Sequence, residues 1–320
     1  MERDFAHTPL IPPLRGEAGG VKSVVIILNG ISLKKNHFYS KILPALQHVV
    51  HVDVQETRSK NDAVLLASKA VTQSYDAIVA AGGDGTLNQV LNGMLQEHEQ
   101  SNHLPVLGLI PLGSGNDFAR TMGVRGDIHS LKKMFTDFSY RTVDLGKITF
   151  IESAEKPRYF INIADVGMGP YVVQRLLSSD RIFGSLGAYY AAIIKTFFTY
   201  RPFTLHMSTP LWKWSGVIRS VAIANGKFFG NGIGIAPDAK PDDGLFSCFI
   251  AGKISVIDFI LQNGRLRKGK RPIHKEIQYR ETDSVTLRAD ETQPIEADGE
   301  LVGTLPVAID VLRKRVKFLC

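Results

Sequence analysis

The chain has 320 residues, 44% of them hydrophobic and 22% charged, so its composition is that of a globular protein long enough to bury a large core without disulfides. Lysine and arginine number 38 against 31 aspartates and glutamates, and the net charge of +7 favours anionic partners without selecting among nucleotides, nucleic acids and acidic lipids. The two cysteines, Cys248 and Cys320, exclude a disulfide framework and fit a reducing compartment.

No segment predicts export or insertion into a membrane. Residues 1–20 contain several prolines and glycines and read as an irregular leader, without the apolar core of a signal peptide. The most apolar window, residues 187–200, is too short for a membrane span and contains Lys195. We therefore expect a cytoplasmic protein.

Strand and helix signals alternate over residues 21–140. Continuous apolar runs at residues 24–28, 77–81 and 106–110 predict strands buried on both faces, and the alternation around Val52 and Val54 predicts another. Helices are predicted between these strands, at residues 41–49, 62–71 and 87–95. The alternation indicates an α/β domain with a parallel sheet.

The pattern changes near residue 140. Short β-like segments follow, separated by glycine, proline and aspartate turns, at residues 142–150, 159–163, 204–207, 216–224, 245–250, 284–289 and 307–311. Two helices interrupt them, at residues 170–177 and 186–198. Such spacing is typical of an antiparallel sandwich or barrel, so we predict a β-rich second domain.

Two glycine-rich loops follow predicted parallel strands, Gly82-Gly83-Asp84-Gly85-Thr86 and Gly113-Ser114-Gly115-Asn116-Asp117. Glycines let backbone N–H groups approach a polyphosphate, and open α/β sheets bind ligands at this edge. A carboxylate there repels phosphate unless Mg²⁺ lies between them or the carboxylate acts on the attacking hydroxyl. A plain glycine turn and a helix cap at Asn116-Asp117 are the structural alternatives. The occurrence of two such loops favours a phosphate-binding site.

These loops, with Phe118-Ala119-Arg120 after the second, resemble those of the diacylglycerol kinase catalytic-domain family, which includes bacterial soluble lipid kinases and the sphingosine and ceramide kinases. The resemblance continues at Pro237-Asp238-Ala239, at Asp242-Asp243-Gly244-Leu245 and at Asp298-Gly299-Glu300, and so covers nearly the whole chain after residue 20. It implies an α/β nucleotide-binding domain with a parallel sheet like that of NAD kinases and phosphofructokinases, plus a β-rich antiparallel sandwich domain. The α/β ATP-binding domain would span residues 21–140 and be completed by about 305–320, with a lipid-substrate domain at 141–304.

The resemblance also implies the site residues. By residue matching, those that bind ATP would be Asn29, Thr57, Gly82, Gly83, Asp84, Gly85, Thr86, Leu87, Asn88 and Ser114. The catalytic residues would be Glu300, Asp84 and Asp117, with Glu300 as the general base that takes the proton of the lipid hydroxyl. Asp298 or Asp84 could hold that role instead. An Asp-Gly pair such as Asp298-Gly299 is also a common hairpin turn.

A structural Mg²⁺ is implied at the Asp242-Asp243-Gly244-Leu245 turn. Its ligands would be the carboxylate of Asp243 and main-chain oxygens of Lys240 and Leu245, a mixture that hard cations accept. The chain departs from the family pattern at two places. The loop at residues 29–32 lacks the usual proline and the later glycine, and Gln89 stands where a glutamate is common.

The implied activity is transfer of the γ-phosphoryl group of Mg-ATP to a lipid hydroxyl, with diacylglycerol as the favoured acceptor. A sphingoid or ceramide-type acceptor, a soluble substrate as in NAD kinases, and a non-catalytic lipid- or nucleotide-binding regulator are the alternatives. A basic run, comprising Arg265, Arg267, Lys268, Lys270 and Arg271, predicts reversible binding to an anionic membrane surface, although a solvated loop is the plainer interpretation. We expect no nucleic-acid partner and leave a homodimer open.

Overall fold

The computed structural model describes residues 21–59, 61–101, 103–178 and 186–320, and the predicted leader at residues 1–20 lies outside them. Within these ranges the strands form one sheet of ten strands and one of six.

The first part of the chain is a parallel sheet between two layers of helices, as the sequence predicts. Its strands, in the spatial order β2-β1-β3-β4, are β1 (Ser23–Leu28), β2 (His51–Glu56), β3 (Ala77–Gly82) and β4 (Val106–Pro111). Alternate residues of β1 enter two separate cores, Val25 and Ile27 on one face and Val24 and Ile26 on the other. The covering helices are α1 (Lys35–His37), α2 (Leu43–Gln47), α3 (Asp62–Val71), α4 (Asp84–Leu95), α5 (Asp117–Met122) and α6 (Ile128–Asp137).

The first helical stretch differs from the prediction at residues 41–49. It begins at Lys35, continues through a π-helical turn at Phe38–Ile42 and ends at Gln47. Pro44 lies at the start of α2, directly after that turn, where the shifted hydrogen-bond pattern accommodates its missing N–H. Pro44 therefore lies within the helical stretch and does not mark its beginning.

Two long strands connect the parallel sheet with the β-rich part. Strand β5 (Tyr140–Phe150) pairs antiparallel with β16 (Val307–Leu319) along nearly its whole length, and Phe318 of β16 also pairs in parallel with Leu107 of β4. Val307 and Ile309 lie in the sandwich core, whereas Val316 and Phe318 lie in the α/β core. Because β5 and β16 run through both parts, the division at residue 140 stays an interpretation of the sequence.

The β-rich part is an antiparallel sandwich, also as predicted. Its six-stranded sheet has the order β12-β11-β10-β7-β14-β15, built from β7 (Ile163–Gly167), β10 (Ser220–Ala224), β11 (Phe246–Ala251), β12 (Ile277–Thr282), β14 (Pro294–Ala297) and β15 (Glu300–Thr304). The facing layer extends the large sheet through β16, β13 (Ser284–Ala289), β8 (Phe203–Ser208) and β9 (Lys213–Ile218), with β6 (Arg158–Phe160) beside β5.

Three helices cover the outer face of the six-stranded sheet: α7 (Met168–Leu177), α8 (Leu186–Thr199) and α9 (Val256–Arg267). The sequence predicts two helices in this part of the chain, and α9 is a third that it does not predict. The apolar residues Ile257, Ile260 and Leu261 of α9 are exposed. The helix therefore lacks the pattern of buried apolar residues by which a helix is predicted from sequence. A capping box between Ser255 and Asp258 starts α9, and that motif is visible in the sequence.

The predicted strand at residues 216–224 is two strands. Arg219 separates β9, which pairs with β8, from β10, which pairs with β7 and β11 in the other sheet. The chain crosses between the layers at this point, and continuous β propensity cannot show such a crossing.

Candidate active site

The carboxyl ends of β1, β2 and β3 bring together three of the predicted ATP-binding residues. Asn29 Nδ2 donates to Thr86 Oγ1 at 3.2 Å, and the Gly30 N–H donates to Thr57 Oγ1 at 3.0 Å. A Cβ on Gly30 would lie 2.1 Å from the Thr57 carbonyl oxygen, so only glycine fits this close approach. Asn29, Thr57 and Thr86 therefore line one edge of the sheet.

The two glycine loops touch each other through their glycines. A Cβ on Gly113 would lie 2.4 Å from the Gly83 Cα, and one on Gly82 would lie 2.3 Å from Thr86 Oγ1. The Leu112 and Gly113 N–H groups both donate to the Gly82 carbonyl, at 2.9 and 3.0 Å. The glycines are therefore required for packing between the loops, and Ser114 is exposed beside them.

Asp84 has a structural partner that the sequence does not reveal. Its carboxylate accepts hydrogen bonds from the N–H groups of Asp117 at 3.1 Å and Phe118 at 3.0 Å, at the start of α5. Burial raises the pKa of Asp84, and these backbone donors oppose the rise. Asp84 therefore has a structural role as a cap of α5, in addition to the metal or proton chemistry that a carboxylate in this loop predicts.

Asp117 joins the two glycine loops to the β-rich part. It is buried, and its carboxylate accepts from the N–H groups of Asn231 at 2.8 Å and Gly232 at 2.7 Å. Burial, together with the negative charge of Asp84, raises the pKa of Asp117 to about 7, against the opposing effect of the two amides. Two carboxylates thus share a small volume between the two parts of the chain.

A cavity of about 550 Å³ opens beside the second glycine loop. Lys34, His37 and Arg120 line it together with Gly115 and Asn116. The positive charges of Lys34 and Arg120 beside a glycine loop suit a polyphosphate. The sequence does not predict a role for Lys34 or His37, because nothing in their spacing relates them to the loop at residue 113.

Leu87 and Asn88 are not at the loop surface. The Leu87 side chain is fully buried in the α/β core. Asn88 Nδ2 donates to the Tyr159 carbonyl and to Asp298 Oδ2, both at 3.0 Å. The Leu87 side chain therefore packs in the core, and the Asn88 side chain contacts the β-rich part.

Asp298 is held by four donors. Besides Asn88 Nδ2, its carboxylate accepts from the N–H groups of Ile161, Asn162 and Ile163, each at 3.0 Å. Burial raises the pKa of Asp298 to about 6, against the lowering effect of these donors. A carboxylate with this many fixed donors organises the turn between β14 and β15 and is poorly placed to accept a substrate proton.

Glu300 lies beside the first glycine loop. A Cβ on Gly85 would be 3.0 Å from Glu300 Oε1, so this carboxylate sits against the first turn of α4. Its side chain is half-buried. The structure therefore brings Glu300, Asp84 and Asp117 to the same junction between the two parts of the chain.

The turn at residues 240–245 is organised by a residue that the sequence analysis missed. Asp144 is buried on β5, and its carboxylate accepts from the N–H groups of Gly244 at 2.7 Å and Lys314 at 2.6 Å. Asp243 is exposed, with its Oδ1 accepting from the Leu245 N–H at 3.1 Å. Across the described ranges, no group of three or more His, Cys, Asp and Glu side chains is placed to hold a metal. Asp242 of this turn pairs with Arg141, and the Asp243 carboxylate together with main-chain oxygens of the turn is a donor set that fits a hydrated Mg²⁺.

A second, apolar cavity lies between α7, α8, α9 and the six-stranded sheet. Its lining is mostly aliphatic and aromatic, with Val172, Ile193, Phe197, Ile233 and Phe259 among the contributors. Tyr189 also lines it, and a Cβ on Gly230 would lie 1.9 Å from the Tyr189 hydroxyl oxygen. Because the loop after Gly230 binds Asp117, this cavity approaches the carboxylate junction.

In the part of the chain that the structure describes, no helix is long and apolar enough to cross a membrane.

Comparison with known families divides the chain in two. Residues 23–148 match the model of the diacylglycerol kinase catalytic domain, and residues 163–320 match that of the YegS C-terminal NAD kinase beta sandwich-like domain. The second match agrees with the sandwich built by β7 to β16.

Similar proteins are named as lipid kinases. A Bacillus subtilis diacylglycerol kinase is 28% identical over 290 residues, which cover 89% of this chain and 92% of that protein. A Xanthomonas campestris protein named as a probable lipid kinase YegS-like is 28% identical over 226 residues, covering 70% and 72% of the two chains. The fold is shared with a Bacillus anthracis diacylglycerol kinase crystal structure at a TM-score of 0.70 and 20% identity, over 93% of this chain and 96% of the other.

Proposed function

This chain belongs to the diacylglycerol kinase catalytic-domain family, and on that premise we propose that it transfers the γ-phosphoryl group of ATP to the hydroxyl of a lipid. Diacylglycerol is the acceptor named for several relatives. The observation that carries the proposal is the position of Glu300, whose carboxylate lies against Gly85 at the start of α4. A candidate base from the β-rich part thereby meets the candidate phosphate loop.

In this proposal the nucleotide occupies the carboxyl edge of the parallel sheet. The phosphates lie over the glycine loops, near the N-terminal end of α4, where unpaired N–H groups and the helix dipole favour negative charge. Lys34 and Arg120 supply positive charge from the adjoining cavity, which His37 also lines. Mg²⁺ arriving with ATP would neutralise charge on the transferring group, and Asp84 and Asp117 are the carboxylates placed to hold it.

Glu300 acts on the acceptor. It takes the proton of the lipid hydroxyl as the oxygen attacks the γ-phosphorus, the new P–O bond forms, and the bond to the β-phosphate oxygen breaks to release ADP. Asp298 holds the hairpin that carries Glu300, through its bonds to Ile161, Asn162 and Ile163.

The apolar cavity under α7, α8 and α9 would receive part of the lipid tail. It measures about 80 Å³, so a long chain would enter only as these helices separate from the sheet. Its lining also includes Gln262, Pro272 and His274, which places one end near the exposed surface of α9.

We also propose that this end faces an anionic membrane. Ile257, Ile260 and Leu261 project from α9 with 64, 55 and 71% exposure. The basic residues at 265–271 follow directly and are exposed. Apolar side chains beside lysines and arginines are typical of a surface that binds acidic lipid without spanning the bilayer.

The Asp243 turn would hold a structural Mg²⁺ through its carboxylate and the main-chain oxygens of Lys240 and Leu245. The ion would stabilise the contact between this turn and the β5–β16 pair, and it takes no part in phosphoryl transfer. Oxygen-only donors are the chemistry that supports this assignment.

The activity is tested by incubating the purified chain with γ-labelled ATP and Mg²⁺ against mixed micelles of diacylglycerol, ceramide or a sphingoid base, with NAD as the soluble alternative. Label in a lipid product is expected. Label in NAD alone would replace the lipid-kinase proposal with the soluble-substrate alternative. Absence of label in every acceptor, from a folded protein that binds ATP, would favour a non-catalytic regulator.

A further inference from the structure

A tyrosine that the proposed mechanism does not use lies where the apolar cavity approaches the carboxylate junction. Tyr189 of α8 lines this cavity, and its hydroxyl oxygen packs on Gly230, where a Cβ would lie only 1.9 Å away. Gly230 has a φ of +59°, in the left-handed region that favours glycine. Both the backbone conformation and the available space therefore require a glycine at this contact, and the tyrosine hydroxyl is held against the loop that follows β10.

The same loop connects Tyr189 with the carboxylates. Residues 229–233 form a tight turn, closed by two backbone hydrogen bonds of 2.9 Å between its first and last residues. Inside the turn, the N–H groups of Asn231 and Gly232 donate to Asp117 at 2.8 and 2.7 Å. Tyr189 and Asp117 therefore contact consecutive residues of one short turn.

The Tyr189 hydroxyl is a hydrogen-bond donor without an acceptor among the described residues. Burial raises the pKa of this hydroxyl well above its ordinary value, and the negative charge of Asp117 adds to the rise. The group therefore keeps its proton at neutral pH. The neighbouring Tyr190, by contrast, donates its hydroxyl proton to Asn263 Oδ1 at 2.7 Å.

An alkyl chain that enters the cavity changes the surroundings of this donor. A hydroxyl in contact with water is satisfied by water, but a chain that fills the cavity displaces that water. Tyr189 packs against a cluster that includes Val172, Ile193 and Ile233, whose side chains provide no acceptor. A lipid that binds here without an acceptor of its own therefore leaves the hydroxyl unpaired, at the cost of an unmade hydrogen bond.

An acyl linkage provides an acceptor at this position. In the proposed reaction the lipid holds its hydroxyl at Glu300 and its chain in the apolar cavity, so the linkage between them passes Tyr189. A carbonyl oxygen of an acyl group projects from the chain and accepts hydrogen bonds. A dialkyl ether of the same length lacks this projecting oxygen.

We propose that the Tyr189 hydroxyl donates a hydrogen bond to an acyl carbonyl oxygen of the acceptor lipid, which makes Tyr189 a residue that determines specificity for acylated over ether-linked acceptors. The inference rests on the proposed lipid-kinase function. Since Tyr189 and Asp117 contact the same turn, this hydrogen bond also sets how deeply the lipid enters the cavity relative to the carboxylates.

The test compares a 1,2-diacylglycerol with the 1,2-dialkylglycerol of equal chain length in mixed micelles. The wild-type kcat/KM is expected to be about threefold to tenfold higher for the diacyl lipid, the effect of one neutral hydrogen bond. Tyr189→Phe should lose this factor on the diacyl lipid, mainly through KM for the lipid, and bring the ratio near one. Its KM for ATP and its activity on the dialkyl lipid should be unchanged.

Tyr171→Phe is the matched control. Tyr171 lies on the neighbouring helix α7 and outside the lining of the apolar cavity, and its hydroxyl donates to Gln293 Oε1 at 3.4 Å. This variant should keep the wild-type ratio. A ratio that is the same in the wild type and in Tyr189→Phe would overturn the proposal and leave the lipid-kinase function intact, and so would a ratio that Tyr171→Phe also abolishes.

A binding measurement on the wild type alone makes the test independent of turnover and of variant folding. A short-chain diacyl ester of 1,2-propanediol, which lacks the reacting hydroxyl, should raise the melting temperature of the protein more than the corresponding dialkyl ether does. Equal increases would show that the carbonyl is not recognised and would overturn the proposal. Phosphorylation of neither glycerolipid by the folded wild type would instead count against the proposed function itself.

Discussion

At the residue scale, the position of each carboxylate distinguishes the candidates for general base. Asp298 accepts four hydrogen bonds that organise the turn between β14 and β15. Glu300 has its carboxylate against Gly85, in the first turn of α4, and its side chain is half-buried. Among the candidates for general base that the sequence left open, we propose Glu300 because its carboxylate lies against the candidate phosphate loop.

We predict that Glu300→Gln lowers turnover by roughly 10²–10⁴-fold, the usual contribution of general acid–base catalysis, with little change in ATP affinity. The amide keeps the size of the side chain but cannot take the proton. Steady-state kinetics and nucleotide titration provide the measurement. If ATP affinity falls as far as turnover, Glu300 belongs to the nucleotide or metal environment instead.

Gly85→Ala tests the contact between Gly85 and the Glu300 carboxylate by changing the glycine. The new methyl group would meet Glu300 Oε1 at 3.0 Å, and the flexible end of that side chain can move away at low energetic cost. We expect turnover to fall about tenfold or more while the free energy of unfolding is unchanged or slightly higher, since alanine favours a helix. Gly264→Ala on α9 is the control, because a Cβ there meets nothing within 4 Å. Unchanged turnover in Gly85→Ala would mean that the Glu300 position is not critical.

At the element scale, the β5–β16 pair depends on one buried carboxylate. The register of this pair shifts between Leu312 and Val316, and Asp144 accepts the Lys314 N–H inside that irregularity. Asp144 also accepts the Gly244 N–H from the turn at residues 240–245. One side chain therefore holds the strand irregularity and the proposed metal turn together.

Asp144→Asn replaces one accepting oxygen with an NH₂ group that faces a backbone N–H. We expect the free energy of unfolding to fall by about 2–3 kcal/mol, the magnitude for hydrogen bonds to a buried charged group. Urea denaturation measures the change. Asp310→Asn, at an exposed position of the partner strand β16, should cost under about 0.5 kcal/mol. Equal losses in the two variants would contradict the role assigned to Asp144.

For the whole molecule, several buried carboxyl groups have raised pKa values, about 7 for Asp117 and Asp165 and about 6 for Asp298. In the unfolded chain each of these carboxyl groups has a pKa near 4. Between about pH 4 and pH 7 the folded protein therefore binds more protons than the unfolded chain does. The contribution to stability is fully present below the unfolded pKa and is lost as pH rises through 6 to 7. The molecule is therefore expected to prefer mildly acidic conditions.

We predict that the free energy of unfolding decreases between pH 5 and pH 8. Asp165→Asn removes one of the titrating groups and should reduce the slope, with a gain of about 1–3 kcal/mol over the wild type at pH 8 relative to pH 5. Denaturant titrations at several pH values provide the measurement, and Glu291→Gln at an exposed position is the control. Stability that rises with pH in the wild type would show that Asp117, Asp165 and Asp298 do not dominate its pH dependence.

The distribution of charge over the surface predicts salt-dependent membrane binding. Each lysine or arginine near anionic lipid contributes about 1 kcal/mol, and this attraction is screened over about 8 Å at physiological ionic strength. Sedimentation with liposomes should therefore increase with the fraction of acidic lipid and decrease with salt. Glutamine at the five basic positions from Arg265 to Arg271 should weaken it.

Ile260→Ser and Leu261→Ser should reduce the liposome binding that persists at high salt, because these side chains contribute apolar area rather than charge. Serine at Leu65, which is 61% exposed on α3, is the matched control. Binding that ignores salt and both sets of substitutions would remove α9 and the basic run from the proposed membrane surface.

The sequence by itself determined an α/β part, a β-rich part and the two glycine loops, because strand burial, helix periodicity and glycine placement are local patterns. The order of its motifs along the chain carried the resemblance to the family. Only the tertiary structure decided what each carboxylate contacts. Asp84 caps α5, and Asp298 binds Asn88, 210 residues away in the chain. Asp165 and Glu296 meet through strand pairing, and α9 keeps apolar residues at the surface. Such contacts depend on the packing of distant segments, and neither spacing nor composition carries that information.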